Sequence, residues 1–251
     1  MATQDKCSWC VQGSGFAFPS VFCWTKMQAE AGQPLETIIA RKDLERLTGD
    51  GLFFWGIGNS LRPRIKELVR HTSEPQIFFS PMRSKPKVAD HSPDTVLCWT
   101  EYLDLDGRRH ALPPHALVLS RGNTPRGMKT KHYALVCHSN EPLSMERVGA
   151  IDLGHCRNWE STNLLVGASQ VSAVLEHYHS GDCSMQYEVV SRATLVAPFF
   201  ITLVSPLVVT CDWKQALDSL AETSPSPSDW TSFVSDMRRS CKPPSSTLKI
   251  V

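Results

Sequence analysis

The stretch FFWGIGNSLR, residues 53–62, decides how this sequence folds. An apolar run ends at the first of two glycines, and a polar segment with arginines follows. This order predicts a strand over 52–56, a glycine turn, and a helix that runs to about His71. Asn59 or Ser60 is expected to cap the helix, and Pro63 fits its first turn. Outward from this stretch, residues 76–79 predict another strand, and the basic loop SPMRSKPK follows at 80–87.

Apolar and turn residues predict the rest of the fold. A strand is expected over 16–26, followed by a helix that starts at Pro34, runs to about Leu47 and is ended by the turn at 49–51. Its predicted apolar face consists of Leu35, Ile38, Ile39 and Leu47. Further strands are predicted at 95–103, 117–120, 132–138, 187–196 and 199–209, and further helices at 213–222 and 229–239. Strands and helices mix without a βαβ repeat, so the sequence predicts an α+β fold with a mixed, strongly curved sheet and flanking helices.

The bulk composition limits the domain organisation and the function class. The chain has 251 residues, 41% of them hydrophobic and 20% charged, which predicts a packed core. We expect an irregular segment over 1–15, one α+β domain over 16–222, and a linker, C-terminal helix and flexible tail over 223–251. The formal net charge of +1 excludes a protein held to nucleic acid by bulk charge alone, although residues 62–87 form a local basic patch.

Two further features predict where the protein resides. The longest apolar run, 193–209, is interrupted by Pro198 and Pro206, so no membrane helix is expected. The nine cysteines have irregular spacing, and residues 1–12 lack the apolar core of a signal peptide. We therefore expect free, mostly buried thiols and a cytoplasmic location.

The glycine turn and the basic loop carry the predicted binding site. Glycines let the backbone approach a ligand closely, and the amides before a helix favour an anion. Arginines add charge-assisted hydrogen bonds to phosphate, and an aromatic ring can stack on a base. The predicted nucleic-acid-binding residues are Trp24, Trp55, Gly56, Gly58, Asn59, Ser60, Arg62, Arg64, Ser80, Arg83, Lys85 and Lys87.

Structural alternatives exist for each part of this site. The glycines also fit an ordinary tight turn with Trp55 in the core, and the basic loop also fits a solvated surface. The turn lacks the Gly-Lys-Ser/Thr ending of a phosphate-binding loop and the third glycine of a dinucleotide site. The sequence therefore does not predict an NTPase or a Rossmann enzyme.

Other chemistry-bearing residues give no strong pattern. Cys7 and Cys10 have the spacing of a zinc knuckle but no second pair, and His177 with His179 would need a third ligand. No metal and no cofactor are predicted. For a catalytic thiol, the candidates are Cys98, Cys137, Cys156 and Cys183, but none lies in a transferable local motif.

The first hundred residues resemble the EVE domain of the PUA-like superfamily. The similarity lies in Phe22-Cys-Trp-Thr-Lys26, in Trp55-Gly-Ile-Gly-Asn59 before an arginine-containing helix, in the strand 76–80, and in the strand 95–102. It covers about residues 20–102. The resemblance implies a small pseudo-barrel that binds nucleic acid, in some members through an aromatic pocket for a modified base. It also implies a link to DNA modification or phage defence.

Three functional hypotheses follow. The first is a protein that binds nucleic acid or a nucleotide, in which Trp55 or Trp24 stacks on a base while the amides near Gly58 contact a phosphate. The second is an enzyme that acts on a nucleotide or small metabolite through a Cys/His site in the same cleft. The third is a protein-interaction module whose basic loop contacts an acidic partner.

Overall fold

The structure is a computed structural model that describes residues 18–82, 95–124, 127–159, 172–178 and 185–245. In chain order its elements begin with β1 (Val21–Met27), α1 (Leu35–Thr48), β2 (Leu52–Gly56), α2 (Arg62–His71), β3 (Gln76–Pro81), β4 (Val96–Trp99), β5 (Glu101–Leu103), β6 (Arg109–Ala111), β7 (Val118–Arg121), β8 (Asn123–Thr124), β9 (Gly127–Met128) and β10 (His132–His138). They continue with β11 (Gly149–Asp152), β12 (Cys156–Asn158), β13 (Ser172–His177), β14 (Gln186–Val189), β15 (Ser191–Val204), β16 (Leu207–Val208), α3 (Trp213–Glu222) and α4 (Pro227–Ser240). This mixture of helices with a mixed sheet confirms the predicted α+β class.

The described residues form two compact units that are interleaved along the chain. The first unit comprises residues 18–27, 60–82, 143–159, 172–178 and 185–194. The second comprises residues 28–59, 95–124, 127–142 and 195–245. Strand β15 contributes residues 191–194 to the first unit and 195–204 to the second. Each unit has a hydrophobic core of its own, described separately below.

The first unit is built around a mixed sheet in the order β12-β13-β1-β3-β15. Strands β1 and β3 are parallel, with Trp24 opposite Phe78, and the other neighbours are antiparallel. Side chains alternate between the two faces of a strand. Phe22, Trp24 and Phe78 therefore share one face, where they form a core with residues of β11 and β14. Helix α2 packs against β1 and β13, and its Ile65 and Leu68 are fully buried.

The second unit contains α1, α3, α4 and the remaining strands. Strands β2 and β10 pair antiparallel, β5 pairs with β6 and with Thr202–Val204 of β15, and β4 lies between β7 and β16. One core surrounds Trp99 and Phe54, and another joins Trp213 and Trp230 of the C-terminal helices to β4 and β7. The last helix is thus part of this unit's packed interior.

Helix α1 differs from its predicted amphipathic pattern. Ile38 and Ile39 are buried as predicted, but Leu47 is 52% exposed, so its assignment to the apolar face is wrong. The charged side chains Arg41, Lys42, Glu45 and Arg46 are buried in its place. They can be buried because they have hydrogen-bonding or charged partners. Arg41 donates to the Leu117 carbonyl, and the Lys42 ammonium lies 2.6 Å from Glu45 Oε2.

The helix ends also refine the sequence predictions. Helix α2 begins after a 3₁₀ turn over Asn59–Leu61, and Leu61 is its N-cap residue without a side-chain hydrogen bond. The predicted capping by Asn59 or Ser60 is therefore wrong. For α4 the cap is Ser226, and Asp229 is its capping-box partner three residues later. Pro63 does lie in the first turn of α2, as expected.

Candidate functional site

Two predicted site residues of the first unit, Trp24 and Ser80, are in direct contact. The Trp24 indole N–H donates to the Ser80 hydroxyl over 3.0 Å, and both residues are fully buried. The Tyr187 ring packs edge-on against the indole at 5.4 Å, and the Lys26 ammonium lies 5.5 Å from the indole centroid. In this conformation the Trp24 ring is a core residue with a satisfied polar atom, and no face of it is open to solvent.

The predicted glycine turn of the second unit has a buried ring and an exposed backbone. Trp55 is only 8% exposed. In contrast, Gly56, Gly58 and Asn59 are exposed, while Ile57 between them is buried and its N–H donates to the Tyr133 carbonyl over 2.9 Å. The turn thus presents its backbone to solvent, as close approach to an anion requires.

Gly56 also lies against a partly buried histidine, His132. A Cβ added at Gly56 would be 3.1 Å from His132 Nε2, so a side chain at this position would crowd the imidazole. The His132 ring stacks on Trp99 with centroids 5.9 Å apart and an interplanar angle of 18°. Burial, with smaller contributions from Lys129 and Lys42, lowers the pKa of His132 to about 4, so the ring is neutral at pH 7.

Helix α2 carries the predicted cations of the first unit. Ser60 is exposed in the 3₁₀ turn, and Arg62 and Arg64 are partly exposed in the first turn of the helix. Lys66 is partly exposed and Arg70 fully exposed further along, and Arg70 pairs with Glu67 at 2.8 Å. The helix therefore has four cationic side chains and one carboxylate, and Arg62, Lys66 and Arg70 lie on a side that Ile65 and Leu68 do not occupy.

The sequence analysis missed a group of partly exposed aromatic rings beside α2. Trp159 follows β12 directly, and its ring centroid lies 5.3 Å from that of His71 at the end of α2. Tyr178 follows β13 and is 42% exposed. The Arg157 guanidinium lies 4.9 Å from the Tyr178 ring centroid and pairs with Glu176 at 2.9 Å. Trp159, Tyr178, Arg157 and His71 are called the ring cluster below.

A weak sequence signal for the ring cluster existed. The apolar run of residues 173–175 fits a short buried strand leading to Tyr178. The partner strand β12 is only three residues long, however, and its pairing with β13 joins Arg157 to Glu176, 19 residues away. Such a short strand has no periodicity of its own, so the position of Trp159 beside α2 depends on tertiary pairing.

Most of the basic loop lies outside the described residues. Arg83, Lys85 and Lys87 lie outside the described residues, as do Cys7, Cys10, His179 and Cys183. Their predicted roles stay predictions. The binding roles of the described site residues stay predictions as well.

The candidate catalytic thiols that the structure describes are buried. Cys98, Cys137 and Cys156 have no exposed surface, and the six described cysteines are all free thiols. A hydrogen bond to the Cys241 thiol, together with burial, holds the pKa of Cys98 well above its usual value. A buried thiol with a raised pKa is a poor nucleophile, because the thiolate is the reactive form.

Metal binding, membrane insertion and known relatives give no further assignment. Among the described residues, no three His, Cys, Asp or Glu side chains are grouped closely enough to hold a metal ion. Within the same residues, no helix has the length and apolar character needed to span a membrane. No family model matches this chain, and no curated protein and no solved structure matches it either.

Proposed function

We propose that this protein binds nucleic acid through the cationic side of α2. The observation that carries the proposal is the arrangement of this helix, whose Ile65 and Leu68 are buried while four cations reach solvent. Arg62, Lys66 and Arg70 recur every four residues and therefore form a stripe along one side of the helix. Ser60, which is exposed and belongs to the same unit, directly precedes this stripe in the chain.

The length of the stripe fits a nucleic-acid backbone. Eight residues of helix separate Arg62 from Arg70, a rise of about 12 Å. One strand of B-DNA carries a phosphate about every 3.4 Å of axis, so the stripe spans roughly three to four phosphates. Arg62 and Lys66 form no ion pair with any described residue, so their charges are available to an anionic partner. Contacts of this kind give affinity and position but little sequence discrimination.

The resemblance to EVE domains adds a finer proposal. In this version the strands form a strongly curved, PUA-like pseudo-barrel, and a modified base is recognised near Trp55 or Trp24, with Arg83, Lys85 and Lys87 on the backbone. A role in DNA modification or phage defence follows from the same resemblance. Both indoles are enclosed in this conformation, so base recognition at either one requires the surrounding side chains to open.

Reversing two charges on α2 should weaken binding to oligonucleotides. We expect Arg62→Glu with Lys66→Glu to lower affinity for a fluorescein-labelled 20-base-pair duplex or 20-nucleotide single strand by roughly 10-fold to 100-fold at 50 mM salt. The slope of log affinity against log salt should fall by about 2, because two phosphate contacts are lost. Fluorescence anisotropy between 50 and 200 mM salt measures both quantities.

The matched control reverses two charges in the other unit. Arg239→Glu with Lys242→Glu changes net charge equally at the exposed end of α4 and should leave the affinity within about 2-fold. Equal losses in the two double variants would mean that only net charge matters, and the proposed interface on α2 would be wrong. Failure of the wild-type protein to bind any oligonucleotide at 50 mM salt would reject nucleic-acid binding as such.

Recognition of a modified base can be tested separately. We expect a duplex with 5-methylcytosine at one position to compete at least 5-fold better than the plain duplex of the same sequence, since pocket contacts add discrimination to the phosphate contacts. The Arg83→Ala variant should weaken both duplexes equally. Identical competition curves for the two duplexes, repeated with 5-hydroxymethylcytosine, would remove the modified-base proposal and leave general binding untouched.

A further inference from the structure

The ring cluster lies on the same face of the first unit as α2. Strand β12 pairs with β13 so that Arg157 is opposite Glu176, and the Trp159 N–H continues the pairing by donating to the Val174 carbonyl over 3.1 Å. Residues two apart on a strand point to the same face, so Arg157 and Trp159 share one face. The contact of Trp159 with His71 identifies that face as the one that α2 covers.

The flank of α2 nearest the ring cluster is also cationic. Arg64 precedes His71 by seven residues, and seven residues return to within about 20° of the same direction on a helix. Arg64 and His71 therefore lie on the same side of α2, two turns apart, and this is the side on which His71 contacts Trp159. Arg70, next to His71, is exposed on the outer side. Aromatic rings and cations thus occur side by side on one surface.

Fixed geometry distinguishes these rings from incidental surface aromatics. The Arg157 guanidinium bonds the Glu176 carboxylate through both Nε and Nη2, each at 2.9 Å, and at the same time lies against the Tyr178 ring. The Tyr178 N–H donates to the His155 carbonyl over 2.6 Å, which fixes the backbone of that residue. Trp159 lies one strand repeat, about 7 Å, beyond Arg157. By strand register, Trp159 and Tyr178 therefore flank the position of Arg157 on opposite sides along the strand direction.

We infer that this surface binds single-stranded nucleic acid, with bases stacking on Trp159 and Tyr178 while the α2 cations contact the phosphates. The inference rests on the proposed function and adds the strandedness of the ligand and a second set of contact residues. Bases in a duplex already stack on each other, so exposed aromatic rings add binding free energy only for bases that are free to leave the duplex stack. An acidic protein segment would match the cations but would leave the two rings without a stacking partner.

The test compares ring-removing and ring-keeping variants. Affinity for fluorescein-labelled dT12 is measured by anisotropy for Trp159→Leu and Tyr178→Leu, and for Trp159→Phe and Tyr178→Phe. Each leucine variant should lose between about 5-fold and 150-fold in affinity, since one base-stacking contact contributes about 1–3 kcal/mol. Each phenylalanine variant should stay within about 3-fold of wild type. Tyr102→Leu, which removes a half-buried tyrosine from the second unit, should have no effect on affinity.

Competition defines the ligand and separates the two proposals. Unlabelled dT12 should compete at least 10-fold better than a 12-base-pair duplex, and polyglutamate of equal charge should compete poorly. This inference would be overturned if a duplex or polyglutamate competed as well as dT12, or if the leucine variants bound like wild type. In either case the α2 charge variants would still test the proposed function. Absence of any oligonucleotide binding by the wild type would reject both. Unfolding midpoints of all variants establish that each is folded.

Discussion

Replacing Glu45 with alanine should lower the free energy of unfolding by about 3–5 kcal/mol, since it removes one partner of a buried ion pair. The Glu45 side chain has no exposed surface, and its Oε2 atom lies 2.6 Å from the Lys42 ammonium. Its Oε1 atom accepts the Phe54 N–H over 2.9 Å, which joins α1 to β2. Alanine would leave the buried Lys42 ammonium with the more distant Leu117 carbonyl, 3.4 Å away, and would remove the side-chain acceptor of the buried Phe54 amide. Urea unfolding at pH 7 measures the loss.

Two comparisons make the Glu45 result specific. Glu36→Ala removes an exposed carboxylate from the first turn of the same helix and should cost less than about 1 kcal/mol. Glu45→Gln keeps an acceptor for the Phe54 N–H and should lie between the two. Burial already lowers the pKa of Lys42 to about 8, so without the carboxylate we expect Lys42 to lose its proton near neutral pH. If Glu45→Ala and Glu36→Ala unfold at the same urea concentration, the buried pair does not stabilise the fold.

Acidification should destabilise the protein through His132 by up to about 3 kcal/mol. The pKa of His132 is about 4 in the folded protein and near 6.5 in an unfolded chain, so the unfolded state takes up its proton first. The stabilising contribution of neutral His132 is complete above pH 6.5 and is lost as the pH falls through 4. Unfolding free energies at pH 7.5 and pH 4.5 should therefore differ more in wild type than in His132→Phe.

The test compares the pH dependence of the unfolding free energy between wild type and each variant, because groups other than His132 also titrate in this range. His132→Phe keeps a ring against Trp99 and removes the titratable group. His110→Gln, at an exposed histidine paired with Asp104, should keep most of the wild-type slope between the two pH values. A His132→Phe protein with the same pH dependence as wild type would show that this imidazole is not neutralised by burial.

The long periodic elements could be predicted from the sequence, and the reason is local. Helix α3 begins and ends as predicted at Trp213 and Glu222, and β10 covers 132–138 as predicted. Helix α1 begins one residue after Pro34 and ends at Thr48, directly before Gly49, the first residue of the predicted stop. In each case a sustained apolar period or a turn residue sets the boundary, and these signals depend only on neighbours in the chain.

The buried side of α1 and the ring cluster could not be predicted because their causes are distant in sequence. Arg41 is buried because its guanidinium reaches the Leu117 carbonyl, 76 residues away. Trp159 lies beside His71 because β12 pairs with β13. Hydrophobic periodicity treats a charged residue as exposed and gives no signal for a strand of three residues. The sequence likewise did not distinguish an enclosed indole such as Trp55 from an accessible one such as Trp159.

Local sequence patterns predicted some features of the candidate site but not others. The exposed glycine backbone at residues 56–59 and the cations at Arg62 and Arg64 are where local rules predicted them. The orientation of Trp24 was not local, because its indole N–H meets Ser80 only when β1 and β3 lie side by side. Within the first unit, the accessible aromatic rings, Trp159 and Tyr178, are therefore not the tryptophan that the sequence suggested there, Trp24.

The interleaving of the two units has a consequence for how the chain is made. A ribosome delivers residues in order, and the first unit needs residues 191–194 at the start of β15 before its sheet has all of its strands. The second unit needs α4, which ends at Ser240. The first unit therefore cannot complete its sheet before residue 194 has been synthesised, and the second unit cannot complete its core before residue 240 has been synthesised. During synthesis, β1 and β2 therefore have edges whose partner strands have not yet been made. We expect a cell that makes this protein quickly to depend on chaperones that keep those edges from aggregating.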